Sequence, residues 1–197
     1  MLIEFVITLI LVILLTSLIF RLNSKKCNKF RTLIVLGSGG HTTEMISYVK
    51  NLDKIFNPKC YVIAKSDSRS ALKIFDLKAK TDIKYIPRCR EVNEGFLSSV
   101  FHTIYSIPFA ISTTLKFYPD LILVNGPGTC IPVCLGGLLQ MIFLKKTRMV
   151  YVESFCRTKS LSLTAKLLYH TRAVHLLVQW PELQKLYPRS NYIGVLS

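Results

Sequence analysis

The chain has no CxxC pair and no Cys/His cluster at metal-ligand spacing, so the zinc-ribbon and zinc-finger classes are excluded and neither a metal nor a cofactor is expected. Its cysteines, Cys27, Cys60, Cys89, Cys130, Cys134 and Cys156, lie mostly in apolar stretches, and Cys130 and Cys134 suit one helix face. That is the pattern of reduced core thiols rather than of a disulfide framework. Acidic residues are scarce: 11 Asp and Glu stand against 26 Lys and Arg, a formal charge of +15 over 197 residues. Nucleic acid is the usual partner of such an excess, but the basic residues are spread along the chain and no aromatic-basic motif accompanies them. Anionic headgroups and phosphate-bearing substrates are the simpler account, with a solvated basic surface as the plainer alternative. Internal repeats and low-complexity linkers are also missing, which leaves one ordinary domain.

What is present begins with a hydrophobic run. Residues 2–20 are interrupted only by Glu4, Thr8, Thr16 and Ser17, and a bilayer crossing needs about 17–25 apolar residues. Arg21, Lys25, Lys26, Lys29 and Arg31 follow, a cluster that the positive-inside rule keeps in the cytosol. A cleaved secretory signal would start with basic residues, carry a shorter apolar stretch and end in a small-residue cleavage site, none of which is found here. The expectation is a transmembrane anchor over 1–22, a basic juxtamembrane linker over 23–31 and a cytosolic domain over 32–197.

Within that domain, short apolar runs at 32–36, 60–64, 83–87, 120–124, 148–152 and 174–178 alternate with helical stretches. Buried strands separated by helices predict an α/β, Rossmann-like parallel sheet with helices on both faces. Two further apolar stretches are not read as membrane spans. Residues 130–144 are too few, and Pro132 suits a first helical turn. Residues 96–118 carry His102, Pro108 and several Ser and Thr, yet hold more large apolar residues than one core-facing stripe needs. Core packing and contact with a membrane surface both account for that excess.

Gly37-Ser38-Gly39-Gly40-His41-Thr42 falls between the first strand and the first helix, where glycines let the backbone approach a ligand and the helix N-terminus offers free N–H groups to phosphate. It is an imperfect dinucleotide fingerprint. Thr42 replaces the third glycine, and Lys65, not an acidic residue, ends the second strand, so a nucleotide-binding oxidoreductase is disfavoured. Asn125-Gly126-Pro127-Gly128-Thr129 ends the fourth strand in the same way. Candidate substrate or phosphate contacts are therefore Gly37, Ser38, Gly39, Gly40, Thr42, Asn125, Gly126, Gly128 and Thr129. His41 is placed to act as a general base or a phosphate donor, or to cap local backbone. Glu153, after the fifth strand, is a second catalytic candidate that could bind a sugar hydroxyl or an incoming helix.

In combination, Gly37 to Glu44, Pro87-Arg88-Cys89-Arg90-Glu91-Val92, Asn125 to Cys130, Tyr151-Val152-Glu153-Ser154 and Val178-Gln179-Trp180-Pro181 resemble the membrane-anchoring subunit of the eukaryotic UDP-N-acetylglucosamine transferase of dolichol-linked oligosaccharide synthesis. The resemblance implies the acceptor-side half of a two-domain glycosyltransferase of the GT-B type, inactive without a soluble catalytic subunit that binds UDP-N-acetylglucosamine. The implied reaction adds the second N-acetylglucosamine, in β1,4 linkage, to N-acetylglucosaminyl-diphospho-dolichol at the endoplasmic reticulum membrane, on its cytosolic face. By the same resemblance His41 is the candidate base, and Val195, Leu196 and Ser197 help dock the partner, although a terminal apolar run can equally be a last core strand. The enzyme that makes the acceptor is a further implied partner, and nucleic acid is not. The rival role is a non-catalytic membrane scaffold for a complete partner enzyme.

Overall fold

The computed structural model describes residues 29–75, 82–90, 95–126, 128–144 and 146–196. In chain order the elements are β1 (Thr32–Val35), α1 (Gly40–Lys50), β2 (Lys59–Ala64), α2 (Ser68–Phe75), β3 (Asp82–Ile86), α3 (Phe96–Phe117), β4 (Leu121–Val124), α4 (Cys130–Phe143), β5 (Arg148–Val152), α5 (Leu163–His170), β6 (His175–Val178), α6 (Pro181–Leu186) and β7 (Asn191–Tyr192). The strands form one seven-stranded sheet in the order β3-β2-β1-β4-β5-β6-β7, and every pairing is parallel. The chain winds outward from β1 in one direction, then returns to β4 on β1's other side. Ligands of such doubly wound sheets bind at that reversal, beyond the strand C-termini.

The short apolar runs become strands because both their faces are covered. Side chains alternate across a strand, so Leu33, Val35, Cys60, Val62, Ile122, Val124, Met149 and Tyr151 share one buried cluster with Ala110 and Phe117 of α3, Val133 and Cys134 of α4, and Ala165 and Leu168 of α5. Ile34, Leu36, Tyr61, Ile63, Leu123 and Val152 fill the other, with Met45 and Val49 of α1 and Ala71 and Ile74 of α2. Helix α4 reaches the sheet closely because a Cβ at Gly137 would stand 2.5 Å from Ile122 Cδ1. One step round the helix, a Cβ at Gly136 would stand 2.9 Å from Thr114 of α3.

Among the described residues no helix is long and apolar enough to cross a membrane. The expected architecture is corrected on that point: the described fold is a Rossmann-like domain without a transmembrane helix, and the single-pass placement in the endoplasmic reticulum membrane, with a cytosolic domain, is withdrawn with it. Residues 1–22, on which the expectation rested, lie outside the described residues, as do 23–28 of the linker. Helix α3 has 22 residues, but its hydroxyls, His102 and Pro108 dilute its apolar character, and α4 has only 14. The apolar surplus of α3 is on the surface, where Leu97, Phe101, Ile104 and Tyr105 are exposed.

Candidate functional site

Strands β1 and β4 are neighbours, so the turns that follow them meet at the reversal of strand order. Each turn leads into a helix whose first residues carry no side-chain cap and no acidic residue, α1 behind Gly39 and α4 behind Thr129. The positive helix ends therefore converge on the same edge of the sheet, although at α4 the Ile131 amide already donates to the Gly128 carbonyl at 3.1 Å.

The first turn is open. Gly37 is buried, whereas Ser38, Gly39 and Gly40 are exposed. Gly39 has φ 66°, a left-handed conformation that glycine adopts without strain. Thr42 does not face solvent: it is buried, and its hydroxyl donates to the Gly37 carbonyl and lies 2.6 Å from Ser70 Oγ. Asp67 in turn accepts from Ser70 Oγ at 2.6 Å. Thr42 closes the turn instead of lining it.

The second turn is filled. Asn125 is fully buried, with Oδ1 2.8 Å from His41 Nδ1 and Nδ2 donating to Glu44 Oε2 at 2.9 Å. Gly126 has φ 103°, and a Cβ there would stand 2.6 Å from His41 Cγ, so the imidazole rests on bare backbone that only glycine supplies. The Tyr151 hydroxyl donates to the Gly126 carbonyl at 3.0 Å and fixes that backbone. Burial pushes the Tyr151 phenol well above its ordinary range, so it stays protonated and able to donate. Gly128 sits in ordinary contact with Cys89, where a Cβ would find 3.6 Å. Thr129 is buried.

Glu153 is almost fully buried, at 1% exposure. Its Oε1 accepts from Ser154 N at 3.0 Å and its Oε2 from Ser162 N at 2.8 Å. Both carboxylate oxygens are thus engaged by main-chain amides, and because Ser162 is the N-cap residue of α5, the carboxylate ties the end of β5 to the helix that follows, one of the two roles its position left open. Burial raises its carboxyl above the usual range, opposed by those two amides. Val195 and Leu196 are exposed, beyond the two-residue strand β7, and the Leu196 amide donates to the buried Gln179 at 2.9 Å. Ser197 lies outside the described residues.

Glu44, Tyr48, Ser154 and Gln179 had no assigned part in the sequence reading. Ser154 Oγ donates to Glu44 Oε1 at 2.6 Å, Tyr48 OH to Glu44 Oε2 at 3.3 Å, and Gln179 Nε2 to Tyr48 OH at 2.9 Å. Burial, and next the charge of Glu44, push the Tyr48 phenol up to about 12. One signal was available: His41, Glu44 and Tyr48 fall three and four residues apart, which puts them on one face of α1. The partners from β5 and β6 follow only from the strand order.

These features define a doubly wound α/β domain whose strand order reverses between β1 and β4, the place where such sheets bind ligands. Its fold is shared with Acinetobacter baumannii MurG, which it matches with a TM-score of 0.59 at 14% identity, over 79% of this chain and 43% of that one. Residues 32–196 match the family described as "Oligosaccharide biosynthesis protein Alg14 like", and the chain belongs to that family. It is 48% identical to mouse "UDP-N-acetylglucosamine transferase subunit ALG14" over 83% of this chain and 82% of the relative. The human protein of the same description is 43% identical over 82% and 81%, and that of Schizosaccharomyces pombe 39% identical over 89% and 87%.

Proposed function

We propose that the chain is the acceptor-side subunit of a two-chain UDP-N-acetylglucosamine transferase. It holds a lipid-linked N-acetylglucosaminyl diphosphate in its crevice, while a separate soluble chain brings UDP-N-acetylglucosamine, and the second sugar is added in β1,4 linkage. Family membership and the relatives' description as transferase subunits support the general role. The finer role rests on one observation: His41 is braced by Asn125 and Gly126 between two helix N-termini that carry no side-chain cap. The open N-terminus of α1 suits the acceptor diphosphate, and a general base is what an attacking sugar hydroxyl needs.

Chemically, the sugar O4–H bond breaks as its oxygen attacks the anomeric carbon of the donor. The proton passes to His41, and the bond from that carbon to the UDP oxygen breaks with UDP leaving on the opposite face. No bound metal enters this account, since helix ends and basic residues can take up phosphate charge.

The test is turnover of labelled UDP-N-acetylglucosamine by the full chain, alone and with its co-expressed soluble partner. Activity is expected only with both, and His41→Ala in the assembled pair should lower kcat by about 10²–10⁴-fold. Near-normal turnover of that variant with intact assembly would remove the base role and leave the non-catalytic scaffold.

A further inference from the structure

The Glu44 carboxylate joins three parts of the crevice: it takes hydrogen bonds from Ser154 beyond β5, from Asn125 beyond β4 and from Tyr48 on its own helix. A carboxylate can only accept. The Asn125 side chain must therefore turn its NH2 toward Glu44, which leaves its oxygen toward His41, 2.8 Å from Nδ1. An amide oxygen cannot donate, so the hydrogen in that contact belongs to the imidazole. With the hydrogen on Nδ1, Nε2 of a neutral ring carries the lone pair. Gly126 restricts the same ring from its face, and among the described residues Nε2 has no hydrogen-bond partner.

We propose that Glu44 and Asn125 are positioning residues that hold His41 as the Nδ1–H tautomer, with the Nε2 lone pair kept free for the acceptor hydroxyl. This rests on the reading of His41 as the base. Glu44 acts through Asn125: its acceptor oxygen fixes the amide, the amide fixes the tautomer, and the tautomer decides which nitrogen can take a proton. A base presenting the wrong nitrogen binds substrate normally and fails in the proton transfer, so the signature lies in kcat. A mere strut between α1 and the ends of β4 and β5 would cost stability when cut, with no change of tautomer.

Full-length chain labelled with nitrogen-15 at histidine reads the tautomer directly by long-range proton–nitrogen correlation, with His41 identified by the signals lost in His41→Gln. The expected parent spectrum has a protonated Nδ1 and an unprotonated Nε2. Asn125→Ala and Glu44→Ala should shift His41 toward Nε2–H while leaving the other histidines unmoved. Glu44→Gln should restore the parent pattern, because its amide oxygen still accepts from Asn125 and its NH2 can donate to Ser154 once that hydroxyl turns.

In the two-chain complex, Asn125→Ala should lower kcat by about 10²–10⁴-fold with KM for UDP-N-acetylglucosamine unchanged, on the scale seen when a catalytic histidine holds the wrong tautomer. Glu44→Gln should recover most of the loss that Glu44→Ala causes. An Nε2–H tautomer in the parent, or a parent-like tautomer in Asn125→Ala, overturns the proposal. Should Glu44→Ala fail to fold, Asn125→Ala and Glu44→Gln still decide it. Normal turnover by His41→Ala would end the base reading alone, since the tautomer measurement judges the positioning without reference to activity.

Discussion

The turn after β1 and the turn after β4 both lead from a buried parallel strand into a helix, and both are rich in glycine, but they use glycine for opposite purposes. After β1, a Cβ at Gly39 or Gly40 would meet nothing within 4 Å, and the main chain lies open to whatever approaches. After β4, a Cβ at Gly126 would fall on the His41 ring, and the fully buried Asn125 occupies the remaining space. The first turn spends its glycines on access and the second on support for one side chain. A glycine-rich strand-to-helix turn is therefore not by itself a phosphate site; what fills the space beside it decides.

Gly126→Ala breaks the contrast hardest. The new methyl must displace the imidazole at a backbone angle that costs an L-residue about 1–2 kcal/mol, and overpacking adds about 1–3 kcal/mol. We expect a lowered unfolding midpoint, and turnover of the assembled pair reduced on the order of 10²-fold through loss of the held base. Gly40→Ala is the matched control, with open space and ordinary backbone, and should leave chemical-denaturation stability within about 0.5 kcal/mol. Equal losses in the two variants would erase the distinction between the turns.

Thr42→Val comes next. It keeps the shape of a buried residue and removes the hydroxyl that donates to Gly37 and meets Ser70. The cost should be about 1–3 kcal/mol in urea unfolding, because buried polar partners are left short. Thr42→Ser should recover most of it. A neutral Thr42→Val would mean that the hydroxyl's contacts with Gly37 and Ser70 do not hold this turn.

Much of this arrangement was legible in the sequence, for identifiable reasons. Strands buried on both faces read as unbroken apolar runs, which is why β1, β2, β4 and β5 were recognisable before their pairing was known. Glycines at strand ends marked both turns. Composition could not say that one turn is open and the other filled, since that depends on β1 and β4 being neighbours. Thr42 and Glu153 show a related limit: position along the chain put them at the sheet edge, while burial turns both inward, Thr42 onto the Gly37 carbonyl and the Ser70 hydroxyl and Glu153 onto main-chain amides. Glu44 was overlooked although its spacing from His41 was visible, because its partners Asn125 and Ser154 lie 81 and 110 residues away. Helix α3 shows the reverse limit, a surplus of apolar residues that was plain in sequence and lies on the surface.

A third turn sharpens the comparison with the smallest effect. Residues 153–162 contain no glycine and are held by the Glu153 carboxylate, which accepts from main-chain amides on either side. Burial raises that carboxyl, and the amides of Ser162 and Ser154 offset part of the rise. The native state therefore keeps a proton at pH values where the unfolded chain has lost it, and stability falls as pH rises. Glu153's contribution should be complete below the ordinary glutamate value of about 4.3 and should decline as pH climbs through the raised native value. Glu153→Gln removes the titration, so the urea midpoint of the parent relative to this variant should drift downward as pH climbs above the ordinary glutamate value and level off once the raised native value is passed. A pH-independent difference would mean that the two amides compensate burial in full, and that this turn is held by an ordinary ionised carboxylate.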